Sequence, residues 1–529
     1  MCPPCTVIES IVVQLFPVGK VTRRGTCPYT RDMKEARVIY WSRRDFRLAD
    51  NRALTAAIAE SAKLNSPLIP LFIVEDYMRV DDPAFQFGLP SRIFLQAALP
   101  EFAKQFPFFL TAYGKAVRTL ESISKDYTLS IHVNEDVYPD FYTQVQKLRD
   151  AGHSVKVYAD MLTIPKDTVT GSKGIYSIFT PFKNAVWNVF VTTAPTPPAH
   201  PEKAHYPSVA ERKKLMATYG VEKKFKTTRT LSVGSHRLTL SHMDAPSLHD
   251  WYTTEHDALS YFKAYLSSGH MDVYKKERDS LSNDALVTHH GKVTLYGANS
   301  RMSLALAWGL ISARTCVHLM QKHYDTTFTP APIAARLESA VHFISELIWR
   351  EFYKYLFYHH KDLMHTEFQA KFRGTIKWVD DAEALKRFKA WIEGRTGYPL
   401  VDAAMMQLAR TGYMHNRARM VVASVLTKNL GVDWRWGQEY FRAALFDLDE
   451  SSNNGGWQWG ASVGADPKPI RIFNPILQAE THDPDMVYQK KWLSTEYLTH
   501  PPEPLVPHKD ARTEALSRYG LEKIKPRDY

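Results

Sequence analysis

Pro67-Leu-Ile-Pro-Leu-Phe-Ile-Val74 is a short, unbroken apolar run, too brief for a buried helix and rich in branched side chains. It reads as a strand buried on both faces, and strands of that kind belong to parallel sheets covered by helices on both sides. The flanking sequence agrees. Upstream, Arg37-Val-Ile-Tyr-Trp41 reads as a strand and residues 53–62 as a helix. Downstream, residues 91–106 read as a helix stopped by Pro107. Ser130-Ile-His-Val133 follows as a strand, 141–151 as a helix and Val155-Lys-Val-Tyr158 as a strand. Strands alternating with helices from 37 to 165 predict an α/β domain with a Rossmann-like parallel sheet.

Outward from that domain the character changes. Thr192-Thr-Ala-Pro-Thr-Pro-Pro-Ala-His-Pro201 excludes helix and central strand, so 166–255 reads as a long connector. Its basic run (Arg212, Lys213, Lys214, Lys223, Lys224, Lys226 and Arg229) suits either a solvated linker face or a DNA-facing patch. Residues 256–529 form an all-α domain with almost no strand signal. The helical period recurs at 258–270, 303–324, 334–360, 380–393, 401–410 and 416–430. Residues 1–36 lack sustained periodicity and read as a poorly ordered extension.

Composition narrows the function. With 44% hydrophobic and 23% charged residues in 529, wholesale disorder is excluded and several cores are affordable. Lys plus Arg number 67 against 56 for Asp plus Glu, a balance of +11 that suits nucleic acid or an anionic cofactor. The 12 Trp and 27 Tyr suggest stacking on flat ligands or electron transfer. No stretch approaches the roughly 20 apolar residues of a membrane span, so no membrane partner is expected. Four cysteines, three of them Cys2, Cys5 and Cys27, make no disulfide framework and point to a reducing, intracellular compartment, cytoplasm or nucleus. Cys2-Pro-Pro-Cys5 lacks the second half of a zinc site, so no metal is expected.

Three stretches carry chemistry. Glu346, Trp349 and Arg350 stand at i, i+3 and i+4 and share one helix face, which suits a flat polar ligand or a structural network. Asn416, Arg417 and Met420 share another face, with Arg419 one position round. Asp447-Leu-Asp-Glu-Ser-Ser-Asn-Asn-Gly-Gly-Trp-Gln-Trp459 gathers Asn453, Asn454, Trp457 and Trp459 around a Gly pair with no apolar period to explain it.

With these motifs in order, the chain resembles the photolyase/cryptochrome flavoproteins from about 37 to 515. The resemblance is carried by Tyr40-Trp-Ser-Arg-Arg-Asp-Phe-Arg-Leu-Ala-Asp-Asn-Arg-Ala-Leu54, Glu346-Leu-Ile-Trp-Arg-Glu-Phe-Tyr353 and Thr396-Gly-Tyr-Pro-Leu-Val-Asp-Ala-Ala-Met405. Asn453-Asn-Gly-Gly-Trp-Gln-Trp459 and Arg471-Ile-Phe-Asn-Pro475 complete it. It implies an antenna domain, a connector and an all-α FAD-binding domain holding a U-shaped FAD, active when reduced. Tyr274 and the loop Asn299-Ser300-Arg301-Met302-Ser303 correspond to its phosphate contacts, with Asn299 where the family usually has Thr. Phe343 and Arg350 join the implied cofactor set. Arg419 and Asp447 match an ion pair over the flavin ring, Asp449 a second contact, and Asn453 the residue beside flavin N5. Trp457, Trp434 and Trp378 match the inner, middle and outer members of an electron-transfer chain, with Trp436 an alternative outer member.

Glu346, Trp349, Asn416, Arg417, Met420 and Trp459 match the lesion pocket of class I cyclobutane pyrimidine dimer photolyases. The (6-4) branches typically carry His at the places of Asn416 and Met420, and DASH types Gln and Tyr at those of Met420 and Trp459. The implied function is light-driven repair: an electron passes from excited reduced FAD to a flipped-out dimer and returns after the ring splits. The implied partner is damaged DNA and the implied state a monomer. The alternative is a blue-light photoreceptor that binds FAD and repairs nothing. Relatives using a methenyltetrahydrofolate antenna carry an acid in the region Asn134-Glu-Asp-Val-Tyr-Pro139, where Tyr138 stands at the matching place and Glu135 and Asp136 are close. A folate, a deazaflavin, a flavin or no antenna are all open.

Overall fold

The computed structural model describes residues 34–79, 87–137, 140–172, 174–227, 229–248, 251–284, 287–290, 293–330, 337–465 and 470–522. Cys2, Cys5, Cys27 and Tyr138 lie outside them.

The apolar runs form the predicted sheet. Its strands are β1 (Ala36–Ser42), β2 (Leu68–Val74), β3 (Leu110–Tyr113), β4 (Thr128–Asn134) and β5 (Ser154–Tyr158). All pairings are parallel, in the order β3-β2-β1-β4-β5. Every residue of β2 is buried, as a central strand covered on both faces requires. Sequence reading missed β3, so the strands read at 130 and 155 are the fourth and fifth. The reason is physical: β3 is a four-residue edge strand, Leu-Thr-Ala-Tyr, buried only at alternate positions, and it offers no apolar run.

One sheet face packs under the helices Ala116–Ile123 and Phe141–Asp150. The other face, with Tyr40, Phe72 and Val74, continues without a break into the helical region through Phe46, Phe94 and Trp308. The two halves therefore share a core. The connector is partly helical: Phe179–Thr192 packs on the helix Glu338–His359, and Val209–Tyr219 packs on β3 with Leu215 buried in the sheet core. That second helix carries part of the basic run, where Lys214 pairs with Asp126 at 2.8 Å.

Several helices divide where tertiary contacts demand it. The predicted 303–324 helix is two, Ser303–Trp308 and Ala313–Tyr324, separated at Gly309. Gly309 has φ +67° and passes so close to Arg44 that a Cβ would lie 2.0 Å from its carbonyl oxygen. The 258–270 helix becomes Glu255–Ser267 followed by His270–Glu277, and 416–430 becomes Asn416–Ser424 followed by a π-helical turn, Val425–Asn429. The hairpin Val287–His290 with Val293–Tyr296 interrupts a region expected to be wholly helical. Among the described residues no helix is long and apolar enough to cross a membrane. Cys316 is buried, and burial pushes its thiol up to about 12, which makes it inert.

Candidate functional site

A cavity of about 650 Å³ opens between the helices Glu338–His359, Asn416–Ser424, Trp434–Ala444 and Glu450–Gly460, with connector residues 178–180 at its mouth. That volume is in the range of small-molecule and cofactor sites. The helix Glu338–His359 buries Ile344, Leu347 and Ile348 on one side, which turns Glu346, Trp349, Arg350 and Tyr353 to the cavity. The helix Asn416–Ser424 is capped by His415, whose Nδ1 accepts from Arg417 N at 3.0 Å. Its Asn416, Arg419 and Met420 line the opposite wall. Asp449 caps the helix Glu450–Gly460 by accepting from Ser452 N at 3.1 Å, and that helix presents Asn453, Gly456, Trp457 and Trp459. Residues read separately as lesion pocket and as flavin contacts thus face one space.

The acidic floor is the strap Leu445–Asp449. Asp447 accepts two hydrogen bonds from Arg419 Nη2, at 2.8 and 3.0 Å. Burial alone would raise the Asp449 carboxyl. The Lys354 ammonium at 3.4 Å and the Arg350 guanidinium at 3.5 Å outweigh it and hold the acid well below the usual carboxylate range. Lys354 is itself buried, which pushes its ammonium down to about 8, with repulsion from Arg350 adding to the effect. Three donors fix three carbonyls of the strap: Ser91 Oγ to Leu445 O at 3.1 Å, Trp308 Nε1 to Phe446 O at 2.9 Å and Arg44 Nη1 to Leu448 O at 2.7 Å. Ser91 and Arg44 belong to the sheet domain. Sequence reading gave neither a role, because nothing local links them to a strap some 400 residues away.

Other expected residues stand off the cavity. Of the loop Asn299–Ser303, only Ser303 lines it. Ser300 Oγ accepts from Met302 N at 3.4 Å, and Met302 is buried in the core. Arg301, at φ +46°, turns its guanidinium over Tyr296 at 3.7 Å and Tyr413 at 4.9 Å. Tyr274 is buried, edge-on to Phe343 at 5.3 Å. Arg417 pairs with Asp279 at 2.6 Å. Trp434 is fully buried, with Nε1 donating to Glu367 Oε1 at 3.3 Å. Trp378 is half-buried, edge-on to Tyr519 at 6.0 Å, while Trp436 packs on Phe388 at 5.3 Å. None of the seven connector cations lines the cavity.

Arg278 and Phe179 are among the cavity residues to which sequence reading gave no role. Arg278 contacts Glu346 and donates to His342 Nε2 at 3.1 Å. Phe179 stacks on Trp349, with centroids 3.6 Å apart and planes at 8°. Neither carried a local signal: Phe179 lies in an apolar stretch with Phe182, Val186, Trp187 and Phe190, and Arg278 lies in a run of charged residues.

The unsatisfied atoms describe what the cavity accepts. Asn453 Nδ2 donates to Gln438 O at 3.1 Å, which orients the amide and leaves its buried Oδ1 without a partner. Trp457 Nε1 is also buried and unpaired, as is Asn299 Nδ2 outside the cavity lining. A Cβ added at Gly456 would meet no atom within 4 Å, so that helix face borders open space. A flat heterocycle with an edge N–H fits this set: Asn453 Oδ1 can accept a hydrogen bond from it, and indoles and the Arg419–Asp447 pair line the same space. At the end of β4 charged side chains pair with one another, although Glu135 Oε2 is buried without a partner. Arg43 Nε donates to Asp136 at 3.0 Å, and Lys166 pairs with Glu135 at 2.7 Å.

Two family signatures match the chain: DNA photolyase over residues 38–202 and the FAD binding domain of DNA photolyase over 343–501. The deoxyribodipyrimidine photo-lyase of Vibrio cholerae is 30% identical over 521 residues, spanning 92% of this chain and 99% of that protein. A bacterial class III photolyase from Agrobacterium tumefaciens superposes with a TM-score of 0.72 at 29% identity, covering 94% of this chain and 100% of the other. A Synechocystis cryptochrome, at 23% identity and a TM-score of 0.69 over 93% of this chain and 100% of its own, shares the fold.

Proposed function

Because the chain belongs to the DNA photolyase/cryptochrome family, we propose that it is a light-driven DNA repair lyase acting on cyclobutane pyrimidine dimers, with reduced FAD as its cofactor. One observation carries the reading. Glu346, Trp349, Asn416, Met420 and Trp459 line the same cavity as Arg419, Asp447, Asp449 and Asn453. A lesion seated there would be in reach of a flavin held by the second set.

When bound, FAD supplies an electron donor that light can excite. The chain's own residues do the rest. Arg419, Asp447, Asp449 and Ser303 would hold the cofactor, and the unpaired Asn453 Oδ1 would accept a proton-bearing ring nitrogen, which favours the reduced form. Trp349, backed by Phe179, and Trp459, backed by Phe473 at 6.1 Å, offer π-faces to a base taken out of the helix. The Glu346 carboxylate, anchored by Arg278, can accept the imide N–H of a thymine. The Asn416 amide can donate to a carbonyl, and Met420 supplies a soft apolar contact. Arg417 and Arg471 suit phosphates at the rim, with salt-sensitive affinity. An antenna of the folate or deazaflavin kind has no part in these steps.

The test is dimer loss from thymine-dimer oligonucleotides, single- and double-stranded, under blue light with a dark control, using photoreduced protein. Light-dependent loss from the wild type, abolished in Glu346→Ala and Trp349→Ala with FAD retained, is the expected result. Fully reduced, FAD-loaded protein that repairs neither substrate would overturn it and leave the photoreceptor reading. Unimpaired repair by both variants would remove the pocket assignment.

A further inference from the structure

Trp457 forms the inner wall of the cavity, and its ring touches a buried indole outside the chain of Trp434 and Trp378. The centroids of Trp457 and Trp391 are 5.9 Å apart at 72°, an edge-to-face contact. Trp391 is fully buried and donates Nε1–H to Val422 O at 3.2 Å. Beyond it lies Tyr440, also fully buried, with centroids 5.6 Å apart at 68°. The Tyr440 hydroxyl meets His242 Nε2 at 3.1 Å, with the two rings stacked at 6.1 Å. His242 is half-buried and so borders solvent. Among the described residues no comparably close ring pair joins Trp457 to Trp434. Three contacts therefore lead from the cavity wall to the surface.

From this geometry we infer that Trp391, Tyr440 and His242 form a second electron-transfer branch, in which Tyr440 refills the hole on Trp457 through Trp391 and passes its phenolic proton to His242. The inference rests on the reading that Trp457 donates an electron to photoexcited oxidised FAD. The balance is simple. Trp391 gives one electron to the Trp457 radical cation, and Tyr440 gives one to Trp391. The Tyr440 O–H bond breaks, an N–H bond forms at His242 Nε2, and a neutral tyrosyl radical remains. A thiol in solution returns the electron, His242 gives the proton back to the Tyr440 oxygen, and the proton of the oxidised thiol is released to water.

The surroundings favour this end point. A cation radical on Trp391, boxed in by Phe388 and Phe441, pays the full cost of burial. The tyrosyl radical is neutral, and the displaced proton sits on a ring beside solvent. His242 is suited to receive it: burial and the Arg229 guanidinium keep the imidazole neutral in the resting protein, against the pull of Glu393. Once protonated, the ring has the Glu393 carboxylate as a counter-charge. Tyr440 is otherwise hard to account for, since its buried hydroxyl makes this one side-chain hydrogen bond.

The test uses full-length, FAD-loaded protein in the oxidised state, followed by transient absorption and electron paramagnetic resonance after a blue flash. The expected result is a tyrosyl signal in the wild type that forms more slowly in D₂O. It is lost in Tyr440→Phe and in Trp391→Phe with FAD content unchanged, and it returns on adding imidazole to His242→Gly. Tyr440→Phe removes one oxygen from a packed ring, so its fold is retained. Normal photoreduction with no tyrosyl signal, and no change in either aromatic variant, would overturn the branch while leaving the Trp457 reading intact. A wild-type flavin that no flash reduces would overturn both.

Discussion

Gly455 and Gly456 are neighbours on one helix, yet the same added methyl should act on them in opposite ways. Both are interior to Glu450–Gly460, where Ala is favoured over Gly by about 1 kcal/mol. At Gly456 the new Cβ meets nothing within 4 Å. Gly456→Ala should therefore stabilise the flavin-free protein by about 0.5–1 kcal/mol. In the loaded protein that methyl would occupy the space assigned to the cofactor. An extra methyl in a filled site costs roughly 1–3 kcal/mol, which is a loss of about 5- to 150-fold in FAD affinity. At Gly455 the Cβ would lie 2.1 Å from Tyr353 Cδ1, with two more ring atoms within 2.6 Å. Gly455→Ala should therefore lower stability with or without FAD, because overpacking of about 1–3 kcal/mol exceeds the helical gain. Thermal unfolding of the stripped proteins, with fluorescence titration of FAD, reads both quantities. A Gly456→Ala protein that binds FAD as tightly as the wild type would refute the placement of the cofactor against this helix face. Reduced stability of that variant without FAD would refute the claim that the space is open.

Two further outcomes follow from the acidic strap. Arg44→Ala removes the hydrogen bond to Leu448 O, worth about 1.5–3 kcal/mol for a charged donor; the FAD-to-protein ratio after gel filtration should fall while far-ultraviolet circular dichroism is unchanged. Lys354→Met tests the buried ammonium: with its pKa at about 8 when folded and roughly 10.4 when unfolded, the unfolded chain binds one more proton between those values, so stability contributed at this site rises with pH across that window. Urea titrations should show the wild type gaining about 2 kcal/mol relative to Lys354→Met between pH 8 and 10, and parallel curves would remove the assignment.

How much of this was legible follows from what each feature depends on. β1 and β2 were read because burial on both faces leaves apolar runs, and β4 and β5 from Ile or Val at alternate positions (Ile131 and Val133, Val155 and Val157), whereas the four-residue edge strand β3, Leu-Thr-Ala-Tyr, carries neither. The helix break at Gly309 was not read, because an isolated glycine in a helical pattern gains its meaning only from what approaches it, here the Arg44 carbonyl, and the break at Gly269 rests on its positive φ alone. Helical spacing brought Glu346, Trp349 and Arg350 onto one face, but their roles came from the family resemblance. Arg278, Phe179, Ser91 and Arg44 have no local period and are joined to the site by the fold alone. The phosphate loop shows the reverse: a motif was readable, yet Arg301 at positive φ turns into an aromatic cage where a straight reading would aim it at the cofactor.

Residues of the sheet domain support the site directly. The strap bearing Asp447 and Asp449 has few backbone partners of its own; Phe446 N donates to Gly412 O at 2.9 Å, and the carbonyls on either side rely on Ser91 and Arg44. Arg44 is in turn held between Phe87 at 5.2 Å and Trp308 at 5.0 Å, and Trp308 fixes the Phe446 carbonyl. One residue thus clamps both halves of the protein to the strap. The Asp447 carboxylate that holds Arg419 is buried, and an ion pair of that kind survives only where its geometry is fixed. The shared core and the Arg44 clamp supply that rigidity, which explains why a helical site built around one acidic strap keeps an entire parallel sheet packed against its back.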